Sequence, residues 1–114
     1  MSHNSAINNL LQLCTDYINT DVSDGDRLSE LLRDISGILF YLETVRSNYH
    51  NKWNKFILDS VEGKKSVARA SVEADVKYPE LYELRRTMDA AYNVCNAIRS
   101  NLSYLKSEIH GAKH

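Results

Sequence analysis

Residues 81–109 read LYELRRTMDAAYNVCNAIRSNLSYLKSEI, and this stretch decides the fold. Its apolar residues recur at alternating steps of three and four, at Leu81, Leu84, Met88, Ala91, Cys95, Ile98, Leu102, Leu105 and Ile109. This is the a/d spacing of a heptad helix, in which one apolar seam faces a partner helix. The stretch therefore predicts a long helix over about residues 79–109 that must pack against another helix.

A second heptad helix is predicted over about residues 27–58. Its seam positions show the same alternation, at Leu28, Leu31, Ile35, Ile38, Leu42, Val45, Tyr49, the polar Lys52 and Phe56. Leu32, Leu39 and Trp53 widen the stripe, so this helix can contact two neighbours. The two helices would each span roughly 46 to 48 Å, and their matched lengths favour antiparallel pairing.

A short amphipathic helix is predicted before them, over about residues 5–20, with Asn4 or Ser5 as its N-cap. Residues 21–26 then form a turn, in which Gly25 is able to adopt a left-handed conformation. Asp24 or Asp26 is placed to cap the following helix.

The segment of about residues 59–78, here called the elbow, joins the two long helices. Its start is broken by Gly63, and its second half resumes the heptad phase with the small residues Ala70 and Ala74 and with Val67 and Lys77. A kink or break is expected at Tyr78-Pro79, because proline lacks a backbone donor and disfavours helix at the preceding residue. The predicted fold is all-α, a long antiparallel, coiled-coil-like hairpin with a short N-terminal helix, in a single domain of residues 1–114.

Gly37 lies inside the second helix, where glycine costs about 1 kcal/mol relative to alanine. Either it marks a close crossing by another backbone, or the helix tolerates it.

The composition favours a protein without catalytic chemistry. The formal net charge is −1, and the sequence has no Gly-rich phosphate loop, no HExxH and no CxxC. Cys14 and Cys95 are isolated, so we expect both to be reduced. No apolar run is long enough to span a membrane, and Met1–Thr20 does not resemble a signal peptide. We expect a cytosolic protein that is not an enzyme and has no metal or cofactor.

Basic and aromatic residues alternate around the elbow, a pattern typical of sites for single-stranded nucleic acid. The predicted nucleic-acid-binding residues are Lys52, Trp53, Lys55, Lys64, Lys65 and Arg69. Tyr49 and Phe56 lie on the seam and are better explained as core, whereas Trp53 is either a core contact or an exposed platform. The lysines also fit a simple solvated bend.

Oligomerisation is expected, because a long hairpin exposes more surface than a globule of equal mass. We assign it to the seam of the terminal helix, at Leu84, Met88, Ala91, Cys95, Ile98, Leu102, Leu105 and Ile109.

Two strings resemble the T4-type phage recombination mediator proteins. One is Ala97-Ile98-Arg99-Ser100 followed by Leu105-Lys106, and the other is residues 64–70, KKSVARA. The resemblance implies a ring-like homo-oligomer that binds single-stranded DNA and contacts a recombinase and a single-strand-binding protein.

The leading hypothesis is thus a non-enzymatic, phage-type recombination or replication accessory protein in the host cytoplasm. It would oligomerise through its terminal helix and meet single-stranded DNA through the elbow. The alternative is a coiled-coil structural or adaptor protein, such as a virion component or an inhibitor of a host defence enzyme, that acts only through protein contacts.

Overall fold

The computed structural model describes residues 3–112, with side chains to residue 109, and within that range the chain is all-α, as predicted. Four helices follow one another: α1 (His3–Ile18), α2 (Gly25–Glu62), α3 (Val67–Lys77) and α4 (Pro79–Ala112). The molecule is a rod of 70 × 28 × 18 Å.

Helices α2 and α4 form the antiparallel hairpin. Gly25 faces Leu105 at one end, the Tyr92 hydroxyl donates to Glu43 near the middle, and Phe56 meets Tyr78 at the other end. Helix α1 packs against both long helices, and α3 packs against both as well. The seams predicted from the heptad spacing therefore meet inside one protomer.

The core is concentrated in the half of the rod that contains α1. Its buried side chains are Ala6 and Leu10 from α1, Leu28, Leu31, Ile35, Leu39 and Leu42 from α2, and Leu84, Met88, Ala91, Cys95 and Ile98 from α4. No residue of α2 beyond Leu42 is buried. The α3 half has a thinner core because α3 contributes only the small residues Ala70 and Ala74.

The turn between α1 and α2 is built by aspartates. Asp24 caps α2 by accepting the backbone N–H of Arg27, which confirms one of the two predicted caps. Gly25 does not adopt the left-handed conformation that is open to it, since no described glycine has a positive φ, and Gly25 is the first residue of α2. Asp21 tightens the turn instead, since its carboxylate accepts both the backbone N–H and the hydroxyl of Ser23.

Two further details differ from the sequence-based predictions. Neither Asn4 nor Ser5 caps α1, because the helix already begins at His3. Gly37 does not mark a close crossing within the protomer, since a Cβ added there would meet nothing within 4 Å. The helix tolerates this glycine on a face turned to solvent.

The break at Tyr78-Pro79 is confirmed. Helix α3 ends at Lys77, Tyr78 adopts φ −124° and ψ 63°, and α4 begins at Pro79. Proline is favoured at the first position of a helix, because the backbone donor that it lacks would have no partner there. Across the described chain, no helix has a stretch apolar and long enough to cross a membrane.

Candidate nucleic-acid interface

The predicted nucleic-acid-binding residues separate into three groups in the folded chain. Lys52 and Lys55 lie on one flank of α2, and Trp53 contacts α3 on the other. Lys64, Lys65 and Arg69 lie at the turn from α2 into α3. The sequence correctly indicates that these side chains lie near one end of the hairpin, but in the fold they do not form one continuous face.

Trp53 is half-buried and is held in place by one face of its ring and by its indole N–H. Its indole N–H donates to Asp75 of α3 at 2.9 Å, and its ring stacks on His50 with centroids 5.8 Å apart and an angle of 16°. The side chain is therefore a tertiary contact between α2 and α3 that keeps part of its surface open to solvent.

Lys65 and Arg69 are paired with an acid. Both donate to Glu73, at 2.6 and 3.1 Å respectively, and these two hydrogen bonds, that of Lys65 foremost, lower the pKa of the Glu73 carboxyl. The three side chains together carry a net charge of +1. This part of the elbow is accordingly a weaker anion site than its sequence indicates.

Lys64 occupies a backbone position that usually belongs to glycine. The backbone N–H of Lys65 bonds to Ser60 O and that of Lys64 to Val61 O, which is the Schellman arrangement at a helix C-terminus. Its left-handed residue is Lys64, with φ 73°, rather than the preceding Gly63. The turn thus projects an exposed cation at the tip of the rod.

Lys52 and Lys55 belong to a shallow recess of about 470 Å³ that also contains Lys77, Phe56, Asp59 and Tyr78, here called the lysine recess. The Lys77 ammonium lies 4.8 Å from the centre of the Phe56 ring, and that ring meets Tyr78 edge to face. Among the described residues, none of the three lysines forms an ion pair. Three cations and two aromatic rings therefore share one small surface with a single carboxylate.

Sequence reasoning missed Lys77 and Tyr78. Lys77 has the heptad phase of the seam, but its side chain is exposed and turned onto Phe56. The break at Pro79 could have indicated this exposure. It interrupts the heptad helix, so the residues just before it need not continue the apolar seam.

The residues assigned to oligomerisation have two different environments. Leu84, Met88, Ala91, Cys95 and Ile98 are covered by the protomer's own core, so in this fold they are not available to a second copy. Leu102 and Leu105 are partly buried against that core, and Ile109 is 60% exposed. Self-association stays a prediction, and any contribution from α4 has to come from its last turns.

Comparisons with known proteins identify no relative. No family model, no curated protein and no solved structure matches the chain. The resemblance to recombination mediators therefore depends on the two sequence strings alone. Within residues 3–112 there is also no cluster of three or more His, Cys, Asp or Glu side chains that could hold a metal ion.

Proposed function

We propose that the protein is a non-enzymatic accessory factor of phage-type recombination or replication, acting in the cytoplasm of the host cell. In this role it binds single-stranded DNA as a homo-oligomer and contacts a recombinase or a single-strand-binding protein. The lysine recess is the observation that carries the proposal, and the strings at residues 64–70 and 97–106 agree with it.

The lysine recess has the composition that non-specific strand binding requires. Lysine ammonium groups neutralise phosphates along the backbone, and aromatic faces offer stacking surfaces to any base. Three lysines are too few for tight binding by one protomer at physiological salt. A homo-oligomer would repeat the recess along one strand, and linked contacts raise the overall affinity by orders of magnitude.

Fluorescence anisotropy of a labelled oligothymidylate tests the proposal with two triple variants that remove the same charge. Replacing Lys52, Lys55 and Lys77 by alanine should abolish most binding and lower the salt slope by about two, at roughly 0.7 per lost phosphate contact. Replacing Lys64, Lys65 and Arg69 by alanine should have a smaller effect, because Glu73 already offsets part of that charge. Circular dichroism would verify that both variants fold.

The outcomes separate the two surfaces. A greater loss in the Lys64/Lys65/Arg69 variant would move the interface from the lysine recess to the tip of the rod. If the wild-type protein does not bind the oligonucleotide at low salt, the DNA-binding function is wrong.

An adaptor that acts only through protein contacts is the second candidate, and one feature of α2 favours it. Phe40 is 81% exposed, and Ile38 and Tyr41, within one turn of it on α2, line with Leu13 of α1 a recess of about 680 Å³ whose surface is mostly apolar. Exposed aromatic residues beside apolar recesses are common at protein interfaces. Gly37 lies in the same recess, where its missing side chain leaves room for an incoming segment.

The adaptor function predicts an independent result. If the protein is an adaptor, the wild type should not bind the oligonucleotide. Phe40→Ser should leave thermal stability unchanged, because the side chain contacts solvent, while it weakens binding to recombinase or single-strand-binding protein in surface plasmon resonance. Tyr104→Ser, at an exposed aromatic position on α4, is the matched control. Equal binding of both variants to those proteins would remove the support for this surface.

A further inference from the structure

We infer that a second recess at the helix break, formed by α2, α3 and α4, receives one unstacked base of a bound single strand. This inference rests on the proposed function and extends it by separating base contact from phosphate contact. The recess, here called the aromatic recess, has a volume of about 450 Å³, which falls within the range of small-molecule sites. Its walls include Trp53, Tyr78, Pro79 and Tyr82.

The wall formed by Trp53 is already fixed before any ligand binds. The indole N–H is held by Asp75, and the parallel stack with His50 fixes the plane of the ring. A base that packs against this wall would not have to order a mobile side chain, which lowers the entropic cost of binding. Tyr82, 69% exposed, stands at the recess as a second aromatic surface.

The polar groups of the aromatic recess suit a base better than a phosphate. His50 lines the recess, and its Nδ1 is buried and has no hydrogen-bond partner among the described residues. Asp75 and Glu83 place two carboxylates at the recess, opposed by Arg85. Carboxylates repel phosphate but accept hydrogen bonds from the N–H groups on base edges.

The two recesses share a wall. Tyr78 lines the aromatic recess on one side and the lysine recess on the other. A strand that crosses Tyr78 would therefore leave its phosphates near Lys77 while one base enters beside Trp53. The break at Pro79 produces this arrangement, because it places Tyr78 between the two helices, as the C-cap of α3 and outside the helical conformation.

Trp53 is the single tryptophan of the chain, so its emission reports directly on the aromatic recess. We would titrate the full-length protein with an oligothymidylate of about 15 nucleotides and with an abasic strand carrying the same number of phosphates. Both strands should bind with salt-dependent anisotropy. Only the thymidylate should change Trp53 emission, and it should bind about 5- to 150-fold more tightly, which corresponds to stacking of one base.

Two tyrosine variants locate the effect. Tyr82→Ala should bring the affinities of the two strands close together, whereas Tyr104→Ala, 64% exposed on the same helix but remote from the recess, should leave their ratio unchanged. Neither side chain belongs to the core, so both variants should fold.

The possible results test base binding in the aromatic recess separately from DNA binding by the protein. If both strands bind equally and Trp53 emission does not change, or if the abasic strand changes it as much, the aromatic recess does not receive a base and DNA binding still stands. If neither strand binds, the proposed function and this inference are both overturned.

Discussion

Lys64 adopts a backbone conformation at the C-terminus of α2 that is unfavourable for a non-glycine residue. Its φ of 73° lies in the left-handed region, which costs a non-glycine residue roughly 1–2 kcal/mol. The two hydrogen bonds of the Schellman arrangement hold the residue there and satisfy Val61 O and Ser60 O. The conformation is therefore imposed by the end of α2.

We predict that Lys64→Gly raises the free energy of unfolding by about 1 kcal/mol, because glycine adopts positive φ without strain. Lys64→Ala removes the same charge and keeps the strained angle, so it should change stability little. Urea denaturation of both variants measures the difference. Equal stabilities for the glycine and alanine variants would show that the left-handed angle at residue 64 has no measurable cost.

The hydrogen bond between Tyr92 and Glu43 makes stability depend on pH at both extremes. The Tyr92 hydroxyl and Arg46 donate to Glu43, and they lower the pKa of the Glu43 carboxyl. The stabilisation is thus present above the ordinary glutamate pKa of about 4.3 and is lost as pH falls through the lower folded value. Burial, and then Glu43, raise the pKa of Tyr92, so its contribution is lost as pH rises through a value above the ordinary 10.

Tyr92→Phe should lower stability by less than about 1 kcal/mol at neutral pH, since both side chains are partly exposed. It should also reduce the loss of stability in acid and remove the Tyr92 contribution to the loss in alkali. Thermal denaturation across the pH range would measure the loss of stability in acid and in alkali. Tyr82→Phe is the control for losing an exposed hydroxyl. An unchanged pH profile in Tyr92→Phe would contradict the role of this bond.

Among the elements, α3 has the weakest attachment to the rod. Its only buried residues are Ala70 and Ala74, which contribute little apolar area, and the bond from Trp53 to Asp75 supplements them. The middle of α4, by contrast, lies in the core from Leu84 to Ile98. Local opening follows burial, so the two helices should differ in dynamics.

Hydrogen exchange should therefore be faster at the amides of α3 than at those between Leu84 and Ile98. Trp53→Phe keeps an aromatic ring but removes the donor to Asp75, so it should accelerate exchange in α3 and leave the middle of α4 unchanged. Exchange read by mass spectrometry resolves the two segments. Comparable protection in α3 and α4 would show that the small-residue contact is as firm as the main core.

The sequence predicts the helices well because their apolar seams are long and strictly periodic. The hairpin, the break at Pro79 and the cap at Asp24 all follow from local chemistry. Helix α2 continues to Glu62, beyond the predicted residue 58. Backbone hydrogen bonds hold its last turn, and these bonds cannot be recognised from the spacing of apolar residues. The candidate site was less predictable, since the pairing of Lys65 and Arg69 with Glu73 and the approach of Lys77 to Phe56 depend on how side chains lie across helices.

At the scale of the whole molecule, elongation leaves much surface exposed. The accessible surface is 7693 Å², whereas a compact monomer of 13.0 kDa exposes about 6,300 Å². Ile109 and Leu105 lie at one end of the rod, where they line a recess together with the turn that precedes α2. Of the residues assigned to oligomerisation, Ile109 is the most exposed, at 60%, whereas Leu105 is partly buried.

We predict that Ile109→Asp reduces self-association, because a carboxylate at an apolar contact is costly to desolvate. Val76→Asp, at an exposed valine on α3, should leave assembly unchanged. Leu84→Asp should instead unfold the protomer, since Leu84 is buried within it. Light scattering at micromolar concentrations measures the assembly, and a monomeric wild-type protein would show that the expected oligomer does not form.

The antiparallel hairpin also constrains the order in which the chain can fold. The facing pairs Phe56–Tyr78, Glu43–Tyr92 and Gly25–Leu105 are progressively farther apart along the sequence. Loop-closure entropy favours the first pair by about 1 kcal/mol over the last, but the buried leucines lie toward the last. The contacts that form at the lowest entropic cost thus bury the least apolar surface. We expect the transition state for folding to form where loop-closure entropy and apolar burial balance, around Leu42 and Met88. The rest of the hairpin should then pair outward from that point.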